Sequence, residues 1–145
     1  MARYSIAGRS TIAGTTVRAQ FSLYAPASVA LKVREVGVFN TTTTALAVAL
    51  ARLTATGTQG AGLTEMKYDP ASVAASGTGF AGHTADATVG DVAAQASLGA
   101  AIGSGVIWTF GDTGIIIPAG TANGIGVIIP TGTGQICDYY MVWDE

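Results

Sequence analysis

Charged side chains are scarce: 11% of the 145 residues carry one, against roughly a quarter in an average soluble protein. Between Asp112 and Asp138 there is none. A freely dispersed monomer ordinarily needs more charge, so part of so neutral a surface is expected to be covered by other protein chains. Cysteine occurs once, at Cys137, which rules out an internal disulfide and fits a buried thiol in an alternating strand. Histidine also occurs once, at His83, leaving no second imidazole for a zinc site. Long apolar runs are missing too. Gly, Pro or Thr interrupts every stretch well short of the roughly 18–20 residues a bilayer span needs, and MARYSIAGRS lacks the apolar core of a signal peptide. No membrane segment and no secretion are expected.

The few charges are unevenly placed. Through Arg52 six bases (Arg3, Arg9, Arg18, Lys32, Arg34, Arg52) face Glu35 alone, whereas from Leu53 onward Lys67 faces eight acids. Such a split lets a basic half meet an acidic half of another subunit, or directs one end toward an acidic partner. The bases are scattered and lack interleaved aromatics, so no nucleic-acid partner is expected.

Small and aliphatic residues dominate: 49% of the chain is hydrophobic and 20 residues are glycine. The length suits one domain, 1–145. Thr15 to Tyr24 alternates, with Val17, Ala19, Phe21 and Leu23 on one face, as a half-buried strand does. Leu31 and Val33 share a face, but the apolar phase then shifts to Val36 and Val38, which a bulge near Arg34 and Glu35 reconciles. Ala45 to Leu53 reads as a strand flanked by threonines, despite its helix-forming alanines. Residues 59–104 lose the pattern and read as a long loop laid over a neighbour; within it Asp91 to Ile102 suits a short helix with Asp91 near the N-cap. Val106 to Phe110 resumes strand character. Ile115-Ile116-Ile117-Pro118 and Val127-Ile128-Ile129-Pro130 are short β-branched runs closed by proline, with an Asn123-Gly124 turn between them. Apolar residues on both sides of such short strands imply cover on both faces, one from the core and one from a second sheet or subunit. Gln135 to Trp143 places Cys137, Tyr139, Met141 and Trp143 on one face.

Catalytic chemistry is thinly supplied. His83 has no partner histidine, and Cys137 sits in mid-strand with no nucleophile turn to lower its pKa. GTGFAG (Gly77 to Gly82) matches a dinucleotide fingerprint formally, but lacks the preceding apolar strand and following helix. Glu65 with Asp69, or Asp86 with Asp91, show no calcium-loop spacing. No enzymatic activity, cofactor or metal is expected.

The stretches from Val33 to Thr64 (VREVGVFNTTTTALAVALARLTATGTQGAGLT) and from Leu98 to Glu145 (LGAAIGSGVIWTFGDTGIIIPAGTANGIGVIIPTGTGQICDYYMVWDE) resemble small virion structural proteins of tailed bacteriophages. The likeness lies in their texture, and no single binding residue carries over. Among such proteins are capsid decoration, or cement, proteins, which sit as trimers on the outer shell and often fold as jelly-roll-like sandwiches. The resemblance implies a virion location, a homotrimer and the major capsid protein as partner.

The combined expectation is an all-β, jelly-roll-like antiparallel sandwich of about eight strands. Its inward faces would be Val17/Phe21/Leu23, Leu31/Val33, the aliphatic triplets and the Cys137 to Trp143 face. Residues 1–14 would form an N-terminal arm, with Arg3, Arg9 and Arg18 meeting the capsid. Ile115, Ile117, Ile128, Tyr140 and Val142 would meet neighbouring subunits. A receptor- or glycan-binding head or tail-fibre domain using Tyr68, Phe80 or Trp108 is the rival, with a tail adaptor or tube component close behind.

Overall fold

Twelve strands carry the fold in the computed structural model, which describes residues 1–145. They are β1 (Arg3–Arg9), β2 (Phe21–Tyr24), β3 (Leu31–Asn40), β4 (Leu46–Leu53), β5 (Gln59–Leu63), β6 (Met66–Lys67), β7 (Thr78–His83), β8 (Val89–Leu98), β9 (Gly105–Thr109), β10 (Ile115–Ile117), β11 (Gly124–Ile128) and β12 (Cys137–Asp144). One sheet runs β10-β3-β12-β1-β6, with β9 on the other half of the β10 edge of β3; the second runs β5-β7-β2-β11-β4-β8. Packed face to face, the two all-antiparallel sheets make a β-sandwich. The pairing is nested: β1 pairs β12, β2 pairs β11, β3 pairs β9 and β10, and β4 pairs β8. Strands β5 to β7 fall at the centre of that nest in sequence and extend the sheets beyond β1 and β2.

The phase shift in β3 is a bulge. Val142 lies opposite Glu35 and Trp143 opposite Val33, leaving Arg34 as the extra residue. One extra residue restores the period of two, so Leu31, Val33, Val36 and Val38 all point into the core. The bulge also divides the edge: β9 pairs Glu35 to Phe39, β10 pairs Leu31 to Val33, and between them the Phe110 N–H donates to the Arg34 carbonyl at 2.9 Å. Facing this sheet, Phe21 stacks on Tyr139 with ring centroids 4.0 Å apart.

The aliphatic run of β11 is covered on both faces by its own chain. Ile125 and Val127 enter the main core; Ile128 turns outward into a second cluster with Ala19, Tyr24, Ala49, Ala51 and Leu53. The loops before β2 and β8 strap that outer face, joined where Ala87 N–H donates to the Val17 carbonyl at 3.0 Å. The alanines and Gly126 lie beneath the strap: a Cβ on Gly126 would come within 3.0 Å of Ala19 Cβ. Second cover is therefore intramolecular.

Several expectations are corrected. Residues 59–104 are not a loop, since they hold β5 to β8, and Asp91 to Leu98 belongs to β8 rather than to a helix. Large side chains from elsewhere fill the room beside β7 and the turn before it. A Cβ on Gly79 would lie 2.5 Å from Ile6 Cδ1, and one on Gly77 2.6 Å from Leu31 Cδ1. In β8, Ala94, Ala96 and Leu98 do alternate toward the core, but alanine signals burial weakly, and pairing with β4 overrides its helix preference. Residues 1–14 are no free arm, because β1 lies between β12 and β6. Val17 is 37% exposed rather than inward. The Asn123-Gly124 turn links strands of opposite sheets, not a hairpin.

Candidate functional site

The arginines expected to meet a capsid are engaged within the chain. Arg3 Nε donates to Asp144 Oδ1 at 2.7 Å, Arg9 Nε to Asp138 Oδ1 at 2.7 Å, and Arg18 Nε to Asp86 Oδ1 at 2.7 Å. Arg3 and Asp144, and Arg9 and Asp138, are direct cross-strand neighbours of β1 and β12. The basic early half and acidic late half meet because the first strand pairs with the last, so these complementary charges are consumed inside one molecule. Arg34 Nε adds a third bond to Asp144, 2.6 Å from Oδ2. The Arg3 guanidinium, seconded by Arg34, holds the Asp144 carboxyl below the usual carboxylate range; Arg9 does the same for Asp138.

The predicted subunit contacts are largely hidden. Ile117, Ile128 and Val142 are buried within the single chain, which corrects their assignment to a free surface. Ile115 packs half-buried on the core. Tyr140 is also half-buried, and its ring lies across Gly37, whose missing Cβ would sit 2.1 Å from Tyr140 Cε1. Its hydroxyl, pushed up to about 12 by burial and then by its bond to Glu35, donates to Glu35 Oε1 at 2.5 Å.

The sheets end in β5 and β6 on one side of the sandwich and in β8 and β9 on the other. Strands β8 and β9 are edges of opposite sheets, and they lie against each other there. From Val92 to Gly111 no residue is charged and none is proline. Val92, Ile102 and Ile107 stand 50%, 72% and 52% exposed on this side. Proteins usually guard such edges with lysine, proline or bulges. The register of β8 shifts between Ala94 and Val92 and again toward Val89, but Ala94 to Leu98 runs regularly, as does all of β9. No sequence signal marked this surface, because which strands lack a neighbour follows from the sheet order.

The remaining candidates are scattered. Cys137 is buried, and burial pushes its thiol up to about 11. Glu65 and Asp69 accept the backbone N–H groups of Ala75 and Ala71. No group of three or more His, Cys, Asp or Glu side chains comes together. Tyr68 follows β6, Phe80 lies in β7, and Trp108 in β9 is half-buried on the core, so the three aromatics do not converge. His83 is fully buried; its Nε2 lies 2.9 Å from Ser22 Oγ, and its Nδ1 has no partner. Burial lowers its pKa. In the unfolded chain His83 takes a proton near pH 6.5, in the folded chain only at lower pH. Stability is therefore expected to fall with pH below about 6.5, by up to about 1.4 kcal/mol per unit, until folded His83 titrates. Urea midpoints at pH 7 and 5 check this; His83→Gln should flatten that part of the profile.

No family model and no curated protein matches the chain.

Proposed function

We propose that this protein is a virion structural protein, a decoration or cement protein of a tailed-bacteriophage head. Three copies associate with one another, and the assembly binds the finished shell. The observation that carries this reading is the neutral double edge of β8 and β9. Bare strands offer backbone donors and acceptors to a further strand, and the exposed Val92, Ile102 and Ile107 favour leaving water. A second copy is the fitting occupant. In a ring of three this edge of each copy meets a different face of the next.

The nested strand order also supports the reading. With β5 to β7 set aside, β1-β12-β3-β9/β10 faces β2-β11-β4-β8, an order that we read as jelly-roll-like, and jelly rolls are common in capsid proteins. A protein that binds the assembled lattice and not the free shell subunit stabilises the particle by mass action. Arg3, Arg9 and Arg18 are assigned no shell contact, because each is paired within the chain.

Light scattering on the purified chain is expected to give a trimer, and Gln95→Lys with Ile107→Lys is expected to give a folded monomer, since both side chains are exposed on the edge strands β8 and β9. Imaging of heads with and without the protein should show saturable density on the outer surface, lost with the double variant. A wild-type monomer that leaves heads undecorated would overturn the reading; density on the tail would move it to an adaptor role.

A further inference from the structure

At the far side of the second sheet from β8, the end of the sandwich opens into a cleft of about 490 Å³. Three turns and two strands wall it: Pro26 and Ala27 after β2, Thr56 before β5, Thr121 and Ala122 before β11, and β5 and β7 themselves. Hydrogen bonds hold the walls in place. Gly120 N–H donates to the Pro26 carbonyl at 2.8 Å, Ala25 N–H to the Asn123 carbonyl at 2.9 Å, and the Tyr24 hydroxyl to the Ala55 carbonyl at 3.1 Å.

The lining has a distinctive chemistry. No charged residue contributes to it, which disfavours ionic ligands. Thr56, Gln59, Ser76, Thr78 and Thr121 bring neutral hydroxyl and amide groups, and none of these side chains is bonded to another group of the chain. Beside them stands the half-exposed Phe80 ring, braced edge-on by Tyr24 with centroids 6.2 Å apart. Its cross-strand neighbour on β5 is Gly62, where a Cβ would meet nothing within 4 Å. One flank of the ring is thus left without a side chain.

We propose that this cleft binds a neutral saccharide. A sugar ring presents an apolar C–H face, suited to an open aromatic flank, and a rim of hydroxyls, suited to uncharged donors and acceptors. The cleft lies at the opposite edge of the second sheet from β8.

The test is a titration of the isotope-labelled full chain with lactose, maltose, cellobiose and chitobiose, followed by amide chemical shifts. Saturable shifts at Thr56, Gln59, Thr78, Phe80 and Thr121 are expected with at least one sugar, in the millimolar range. Phe80→Ala should weaken binding at least ten-fold. Because Phe80 also packs on the outer cluster, Gly62→Val provides a second variant: it adds a β-branched side chain to a strand, in open space, and is expected to keep the fold while blocking the ring. Tyr68→Ala, elsewhere on the surface, should bind as wild type. No saturable shift with any of the four sugars, or shifts that persist unchanged in Gly62→Val, would overturn the proposal.

Discussion

Trp143→Ala is expected to cost about 3–5 kcal/mol, the range for deleting a large buried aromatic. Trp143 is fully buried, stacks on Tyr4 with centroids 5.7 Å apart, and pairs in register with both Tyr4 and Val33. It also reaches the opposite sheet, since a Cβ on Gly77 would lie 3.4 Å from its Nε1. Removing the indole therefore opens a void where β1, β12, β3 and the start of β7 meet, and Gly77 has no side chain to fill it. For a chain of this size each kcal/mol shifts the melting temperature by roughly 2–4 °C, so a drop on the order of 10 °C is expected. Calorimetry on Trp143→Ala and on Val73→Ala gives the contrast: Val73, 77% exposed and away from β8 and β9, should change stability by less than about 0.5 kcal/mol. Equal losses would mean that Trp143 is not a keystone of the core.

Those elements were legible where large residues alternate. Cys137, Tyr139, Met141 and Trp143 announce the inner face of β12, and the broken phase of Leu31, Val33, Val36 and Val38 announces the Arg34 bulge. Strands β5, β7 and β8 stayed hidden for the opposite reason. Gly79 of β7 yields its room to Ile6, Gly60 of β5 lies against the Ala81 and Gly82 carbonyls, and the alanines of β8 add little bulk, so these strands leave no periodic trace. Hydrophobic patterning records what a strand contributes to a core, not what it receives.

Surface assignments failed for a related reason. The apolar character of Ile117 and Ile128 was visible, but not that Ile117 enters the main core and Ile128 lies under the intramolecular strap of the second sheet, so burial inside one chain resembled an interface. The charge split pointed correctly to complementary halves; only the nested pairing of first strand with last makes the complement internal. By contrast, the bare β8 and β9 edges depend on which strands lack a neighbour, a property of topology that no local window carries.

Asp144→Asn is the second large effect and decides what Arg3 does. Asp144 accepts three bonds, two from Arg3 and one from Arg34, and its side chain is 6% exposed. Neutralising it leaves Arg3 without its counter-charge and Arg34 with only the exposed Asp112, 3.9 Å away. A loss of about 2–3 kcal/mol is expected at pH 7, less than for a wholly buried pair because Arg3, half exposed, regains water. The folded-state pKa of Asp144 is depressed, so its contribution is complete above the unfolded value near 3.9 and disappears as pH falls through the folded value. The gap between wild type and Asp144→Asn should therefore hold constant from pH 7 to about 4 and close only below. His83 affects both proteins alike, so its slope cancels in that difference. Arg3→Ala should reproduce part of the loss; if it instead left stability untouched while reducing density on the head, Arg3 would be a shell contact and the in-chain pairing a secondary feature.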